Sequence, residues 1–169
     1  AQVYGSALVY GSALVYGSAQ VSGSALVYGS AQVSGSGDVR SSDHIAWVDR
    51  VGSGESMTLH RVRLDDGHGW RINAGCVHFE APTVSEVCDL VRANVKAGPE
   101  QWADASPDDR KRWARQVRTA LKFLAASVVE AQRRCFARTR ASVMSERPSH
   151  CAFEPGQRNG RPVSLQIEA

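Results

Sequence analysis

The sequence predicts a mixed β and α chain: a short parallel β-helix, then a β-hairpin, then two α-helices. Three observations predict it. Residues 1–36 are six tandem copies of one six-residue unit. Residues 44–80 fall into short strand-like runs divided by turn signals. Residues 83–140 hold two stretches with apolar residues at helical spacing, each with its own start signal. Composition shifts sharply after the repeat, so the chain divides into a β-helix (1–48), a small α+β module with a long basic C-terminal helix (49–140) and a loose tail (141–169).

The repeat units read AQVYGS, ALVYGS, ALVYGS, AQVSGS, ALVYGS and AQVSGS. The phase continues through GDVRSS (37–42) into DHIAWV (43–48), with valine at 3, 9, 15, 21, 27, 33 and 39 and Ile45 in the next slot. Such periodicity sets the architecture before any local propensity does. Each unit has a short Ala-x-Val-x strand and a Gly-Ser corner. Strand side chains alternate between faces, so Ala and Val share an inner face and the variable Leu/Gln and Tyr/Ser positions point out. Glycine at the corner permits a sharp turn. A silk-like or amyloid-prone segment is the alternative. Strict phase and decay into an ordinary globular sequence favour the solenoid.

With an aliphatic residue followed four positions later by a small one (Val3 with Ala7, Val9 with Ala13), the block resembles the left-handed β-helix of bacterial hexapeptide-repeat proteins. The resemblance implies the left hand, which crossover rules alone do not give. It also implies three units per triangular coil, hence stacking of residues 18 apart: Val3 on Val21 and Val39, Val9 on Val27 and Ile45. Two full coils are expected, with a degenerate third running to about Val48. The outer faces are then unequal. One stacks Leu8 on Leu26 and Tyr10 on Tyr28 and is apolar throughout, whereas the others carry Gln20 and Ser22, or Gln32 and Ser34, in the second coil. An apolar ladder of this kind marks an interface. Leu8, Tyr10, Leu26 and Tyr28 are therefore expected to be covered by another subunit or by the C-terminal helices.

After the repeat, HIAWVDRV, MTLHRVRL, GWRINAG and CVHFEA read as strands, and Asp65-Asp66-Gly67 is a hairpin turn signal. From Val51-Gly52-Ser53 to Gly75-Cys76-Val77-His78-Phe79 the sequence resembles a small module fused behind such repeats in phage and prophage proteins, with His78 intruding before Phe79. No chemistry follows from that resemblance. A helix is expected from Thr83, where Thr83-Val-Ser-Glu86 forms a capping-box pattern, with Val84, Val87, Cys88, Val91 and Val95 on one face and Gly98-Pro99 as the stop. A second starts near Ser106, with Pro107 at its first position and Asp108 and Asp109 in its first turn. Ala114, Val117, Leu121, Leu124, Val128, Ala131 and Cys135 follow a 3-4 spacing. A coiled-coil seam fits that spacing, but packing on the chain's own strands fits better, because charge pairing beside the seam is absent.

The 169-residue chain has a net charge of +3. Residues 1–36 carry no charged side chain, while 107–140 hold ten basic residues against Asp108, Asp109 and Glu130. Lys111, Arg115, Arg118 and Lys122 share one helix face, with Arg133, Arg134, Arg138 and Arg140 further on. Such a stripe suits phosphates or another acidic partner, whether protein, nucleotide or nucleic acid. No aromatic residue lies on the Lys111–Lys122 face itself to stack bases, and a solvated helix face is the plain alternative. The four cysteines, Cys76, Cys88, Cys135 and Cys151, form no CxxC pair and read as buried free thiols of a cytoplasmic protein. Cys76 and His78 are only two potential ligands, so no metal is expected. No phosphate loop, nucleophile triad or carboxylate pair stands out, and no cofactor or membrane span is expected.

Hexapeptide-repeat proteins include acyltransferases that use a histidine base beside the coils. The clean repeats here contain none, and His44 is the first in phase, at an outward position above Leu26 and Leu8. The expectation is thus a non-enzymatic structural or interaction protein of phage or prophage type. It oligomerises through the apolar ladder and meets an acidic partner through the basic helix. An acyltransferase or a degenerate relative of one is the alternative.

Overall fold

The computed structural model describes residues 1–145, with the side chains of residues 101 and 130–145 excepted. The repeat forms seven two-residue strands: β1 (Gln2–Val3), β2 (Leu8–Val9), β3 (Leu14–Val15), β4 (Gln20–Val21), β5 (Leu26–Val27), β6 (Gln32–Val33) and β7 (Asp38–Val39). Strands β1 to β4 each pair in parallel with the strand 18 residues on, giving three narrow sheets, β1-β4-β7, β2-β5 and β3-β6. This is a β-helix of 18-residue coils. Its interior is the Ala/Val face: Ala19, Val21, Ala25, Val27, Ala31, Val33 and Val39 are fully buried. The corner glycines have positive φ, and at Gly23 a Cβ would stand 2.5 Å from the Arg40 carbonyl oxygen, so no other residue fits there.

The third coil stops at Val39 instead of continuing to Val48. Clean units have glycine at the corner, whereas the seventh has Ser41, whose φ is −151. The left-handed turn is not made, and a 3-10 turn at Ser42–His44 sends the chain away. Ile45 still packs into the solenoid core. Its strand, β8 (Ile45–Val51), instead pairs antiparallel with β9 (Glu55–Leu64), Ile45 opposite His60. Strand β8 thus runs across residue 48, where the first unit was expected to end.

The expected hairpin is the centre of a larger sheet. Strands β9 and β10 (Gly67–Ala74) pair through the Asp65-Asp66 turn. The flanking strands β8 and β11 (Val77–Ala81) complete a four-stranded antiparallel sheet in the order β11-β10-β9-β8. Both faces of this sheet are covered. Ala46, Met57, Leu59, Trp70 and Ile72 enter a core with the helices. Ile45 and Trp47 join the solenoid core, and Thr58, His60 and Asn73 bond to coil 2. The molecule has three layers: solenoid, sheet, helices.

The sheet also closes the open end of the solenoid. A β-helix exposes unpaired backbone groups at its last coil. Below β6 no further strand follows, and side chains replace it. The Gln32 N–H donates to Thr58 Oγ1 (3.0 Å), and Asn73 Nδ2 donates to the Gln32 carbonyl (2.9 Å). The Ser34 N–H points at His60 Nε2 (3.5 Å). Beside it, Gly37 bridges to Val62, and the Arg63 N–H donates to the Ser36 carbonyl (3.0 Å).

Helix α1 (Val84–Ala97) begins at the expected capping box, with Thr83 and Glu86 bonding reciprocally. It buries Val87, Cys88 and Val91. Helix α2 (Pro107–Ser145) begins after Ser106, whose hydroxyl accepts from the Asp109 N–H (3.1 Å). Val117, Leu121, Leu124 and Val128 pack into the sheet–helix core, so this segment of the helix lies on its own chain. The helix extends past residue 140 into the expected loose tail; residues 146–169, with Cys151, lie outside the described residues, as do the side chains of Ala131 and Cys135.

Candidate interaction surfaces

The apolar ladder forms as the 18-residue stacking requires. Leu8 pairs with Leu26 across β2 and β5. The Tyr10 and Tyr28 rings stack at 5.2 Å, 7° from parallel. Below them Trp47 meets Tyr28 edge-on at 4.5 Å. Trp47 was not picked out from the sequence, because it sits one position out of phase with the tyrosines. The ladder remains exposed in the chain: Leu8 by 58%, Tyr10 by 53%, Leu26 by 37% and Tyr28 by 42%. The described helices do not cover it, because the antiparallel sheet separates them from the solenoid.

The Gln and Ser substitutions on the other faces acquire a cause. They mark where the sheet meets coil 2. Gln20 Oε1 accepts from Arg63 Nη1 (3.0 Å). Ser34 is fully buried, and its hydroxyl bonds to Asn73 Oδ1 (3.2 Å). Leu and Tyr persist in the second coil only in unit five, where Tyr28 meets Trp47 of β8.

The basic stripe is exposed along α2: Lys111, Arg115, Arg118 and Lys122 are all solvent-facing. Lys111 reaches Asp108 at 3.6 Å, a weak surface pair. Among the described residues, Arg115, Arg118 and Lys122 have no carboxylate within salt-bridge distance. The stripe is divided between two hollows. Arg115 lines a cleft beside β8, and Arg118 lines a groove against α1 together with Arg92 and Lys96. Arg133, Arg134, Arg138 and Arg140 have side chains outside the described set.

Three histidines and an aspartate carry the notable electrostatics. His60 is fully buried; burial, with a smaller push from the Arg71 charge, lowers its pKa to about 4. Its Nδ1 donates to the Arg61 carbonyl (3.2 Å), which leaves Nε2 as an acceptor. Asp38 is buried between Arg40 Nε (2.9 Å) and His68 Nε2 (3.0 Å). Burial raises its pKa, but the hydrogen bonds and charges of Arg40 and His68 outweigh that and hold it below the usual value.

His44, expected at an outward position above Leu26, lies instead in the 3-10 turn after β7. The Arg40 N–H points at its Nδ1 (3.2 Å) and the Arg61 guanidinium lies 3.2 Å from Nε2. A neutral imidazole accepts at one of these atoms only, and a protonated ring would face two donors. Burial, then the Arg61 charge, lowers its pKa. A ring so placed is a poor proton acceptor for acyl transfer.

Cys88 is buried, and that burial pushes its thiol pKa up. Cys76, expected as a buried thiol, is exposed because it occupies the tight turn between β10 and β11. Among the described residues no three His, Cys, Asp or Glu side chains come close enough to hold a metal ion. No helix among them is long and apolar enough to cross a membrane.

A family model described as the YdcK beta solenoid repeat matches residues 1–17 and again 19–35. The repeat block is similar to a β-solenoid family. The two matches begin 18 residues apart, one coil of the observed helix. They cover the repeat and leave the sheet and helices unmatched. No curated protein and no solved structure matches the chain.

Proposed function

We propose that the protein is a non-enzymatic scaffold that self-associates through the Leu8/Tyr10/Leu26/Tyr28 ladder and meets an acidic partner through the basic face of α2. The observation that carries this reading is the continuous exposed ladder on two charge-free coils. Stacked tyrosines and leucines on a rigid coil present apolar area with little entropy left to lose on contact. Trp47 lengthens the ladder to three aromatic rings. The left hand of the coil and a phage or prophage origin belong to the same proposal and rest on the sequence resemblances.

The test is mass by light scattering across a concentration series. The expected result is a discrete oligomer that Leu8→Lys with Leu26→Lys converts to monomer without loss of secondary structure. A parent chain that stays monomeric throughout would end the self-association reading. For the basic face, heparin binding that weakens steeply with salt, and weakens again in Lys111→Gln/Arg118→Gln/Lys122→Gln, is expected. Salt-independent binding contradicts it.

A further inference from the structure

Strand β8 is the edge of the antiparallel sheet, and its pairing with β9 is irregular between Val48 and Val51. Within that irregularity Arg50 adopts φ +55, and it is the non-glycine residue with positive φ among the described residues. A left-handed backbone at a long, unbranched cation is costly, and strain of this kind persists where surrounding structure enforces it, often beside functional surfaces. What the bulge achieves is visible. The Asp49 carboxylate accepts from the Ser30 hydroxyl of the solenoid. Arg50 is placed on a cleft of about 510 Å3 between β8 and α2.

The walls of that cleft are of two kinds. Val48, Val51, Ala120 and Phe123 supply apolar surface, and Phe123 is 56% exposed. Arg50 from the strand and Arg115 from the helix supply two guanidinium groups. Neither meets a carboxylate within salt-bridge distance among the described residues. Asp49, the acidic residue on the same wall, accepts from Ser30, and the two guanidinium groups against its one carboxylate leave the cleft cationic. The size lies in the range of small-molecule pockets, and an apolar lining with a few convergent polar groups is their usual character.

We infer that this cleft binds a small organic anion, its apolar body against Val48, Val51, Ala120 and Phe123 and its carboxylate or phosphate between Arg50 and Arg115. Guanidinium groups suit either head group because both accept paired N–H donors. The site shares Arg115 with the acidic-partner reading but does not depend on it, since Arg118 and Lys122 lie outside the cleft.

The experiment is titration of the full chain with octanoate, octyl phosphate, octanol and acetate, followed by amide shifts and calorimetry. Octanoate or octyl phosphate is expected to bind, moving amides at 48–51 and 115–123, with octanol and acetate each at least about tenfold weaker. Arg50→Gln and Arg115→Gln are each expected to weaken binding by about tenfold. Leu8→Lys and Arg118→Gln/Lys122→Gln are expected to leave it unchanged, which separates this site from the ladder and the polyanion face. Arg50→Gly removes the charge but suits the backbone, so it is expected to lose binding while melting no lower than the parent. Absence of binding at millimolar octanoate and octyl phosphate, equal binding of octanol, or indifference to Arg50→Gln would each overturn the site.

Discussion

His60 shows how one buried side chain ties two units of the chain together. Its Nδ1–H is used by the Arg61 carbonyl, and its Nε2 faces the Ser34 N–H and Asn73 Nδ2. That arrangement serves only the neutral ring; a protonated Nε2 would confront two donors at a site shut off from the surface. The folded-state pKa of about 4 lies below the unfolded value of about 6.5. Between those values the unfolded chain binds more protons, so stability falls as pH drops. The contribution is complete above pH ~6.5 and lost by pH ~4, on the order of 3 kcal/mol. His44 is lowered in the same direction and adds to the same window, while Asp38, lowered below the usual carboxylate value, acts at still lower pH. The prediction is a melting temperature that declines from pH 6.5 to 4 and a flatter profile in His60→Gln, whose neutral-pH stability is lower. An identical slope in both proteins would assign the pH dependence elsewhere.

At the scale of elements, the instructive feature is an edge capped by side chains. Strand β6 lacks a strand below it, and Thr58, His60 and Asn73 supply the missing donors and acceptors. Their polarity is thus demanded by backbone groups. The sequence run Met57-Thr-Leu-His-Arg-Val62 contains the signal, since polar Thr58 and His60 alternate with apolar Met57 and Leu59. Alternation normally reads as one wet face, however, and nothing in a single sequence says that the polar face is dry. Thr58→Val keeps the shape of the side chain and leaves the Gln32 N–H buried without a partner. A loss of about 1–3 kcal/mol is expected in urea unfolding. A neutral effect would mean that the capping bond does not hold the edge. The corner at Ser41 was equally legible in hindsight: where glycine ends, the coil ends, because the turn needs a positive φ.

At the scale of the whole molecule, the sheet is shared property. One face completes the helix core around Leu121 and Leu124; the other closes the solenoid. Solenoids of so few coils are marginal alone, so solenoid and helices should unfold as one unit. Leu121→Ala, in the core remote from the repeat, is expected to cost about 2–5 kcal/mol. It should lower hydrogen-exchange protection of the amides of Val21, Val27 and Val33 in parallel with that of the helices. Solenoid amides that keep their protection would show two independent folding units instead.

The repeat period, the identity of the inner face, the apolar ladder, both helix starts and the basic stripe were determined by the sequence alone. Each rests on local spacing, which backbone geometry converts directly into position. Tertiary structure decided the rest. It placed the sheet between solenoid and helices, drew Trp47 against the solenoid core and His44 into a turn, explained the Gln and Ser units as contacts, and set Arg50 and Arg115 on one cleft. Those outcomes depend on which faces find each other across long stretches of chain, and on how each unpaired backbone edge is satisfied. Periodicity carries information about faces, but not about what covers them.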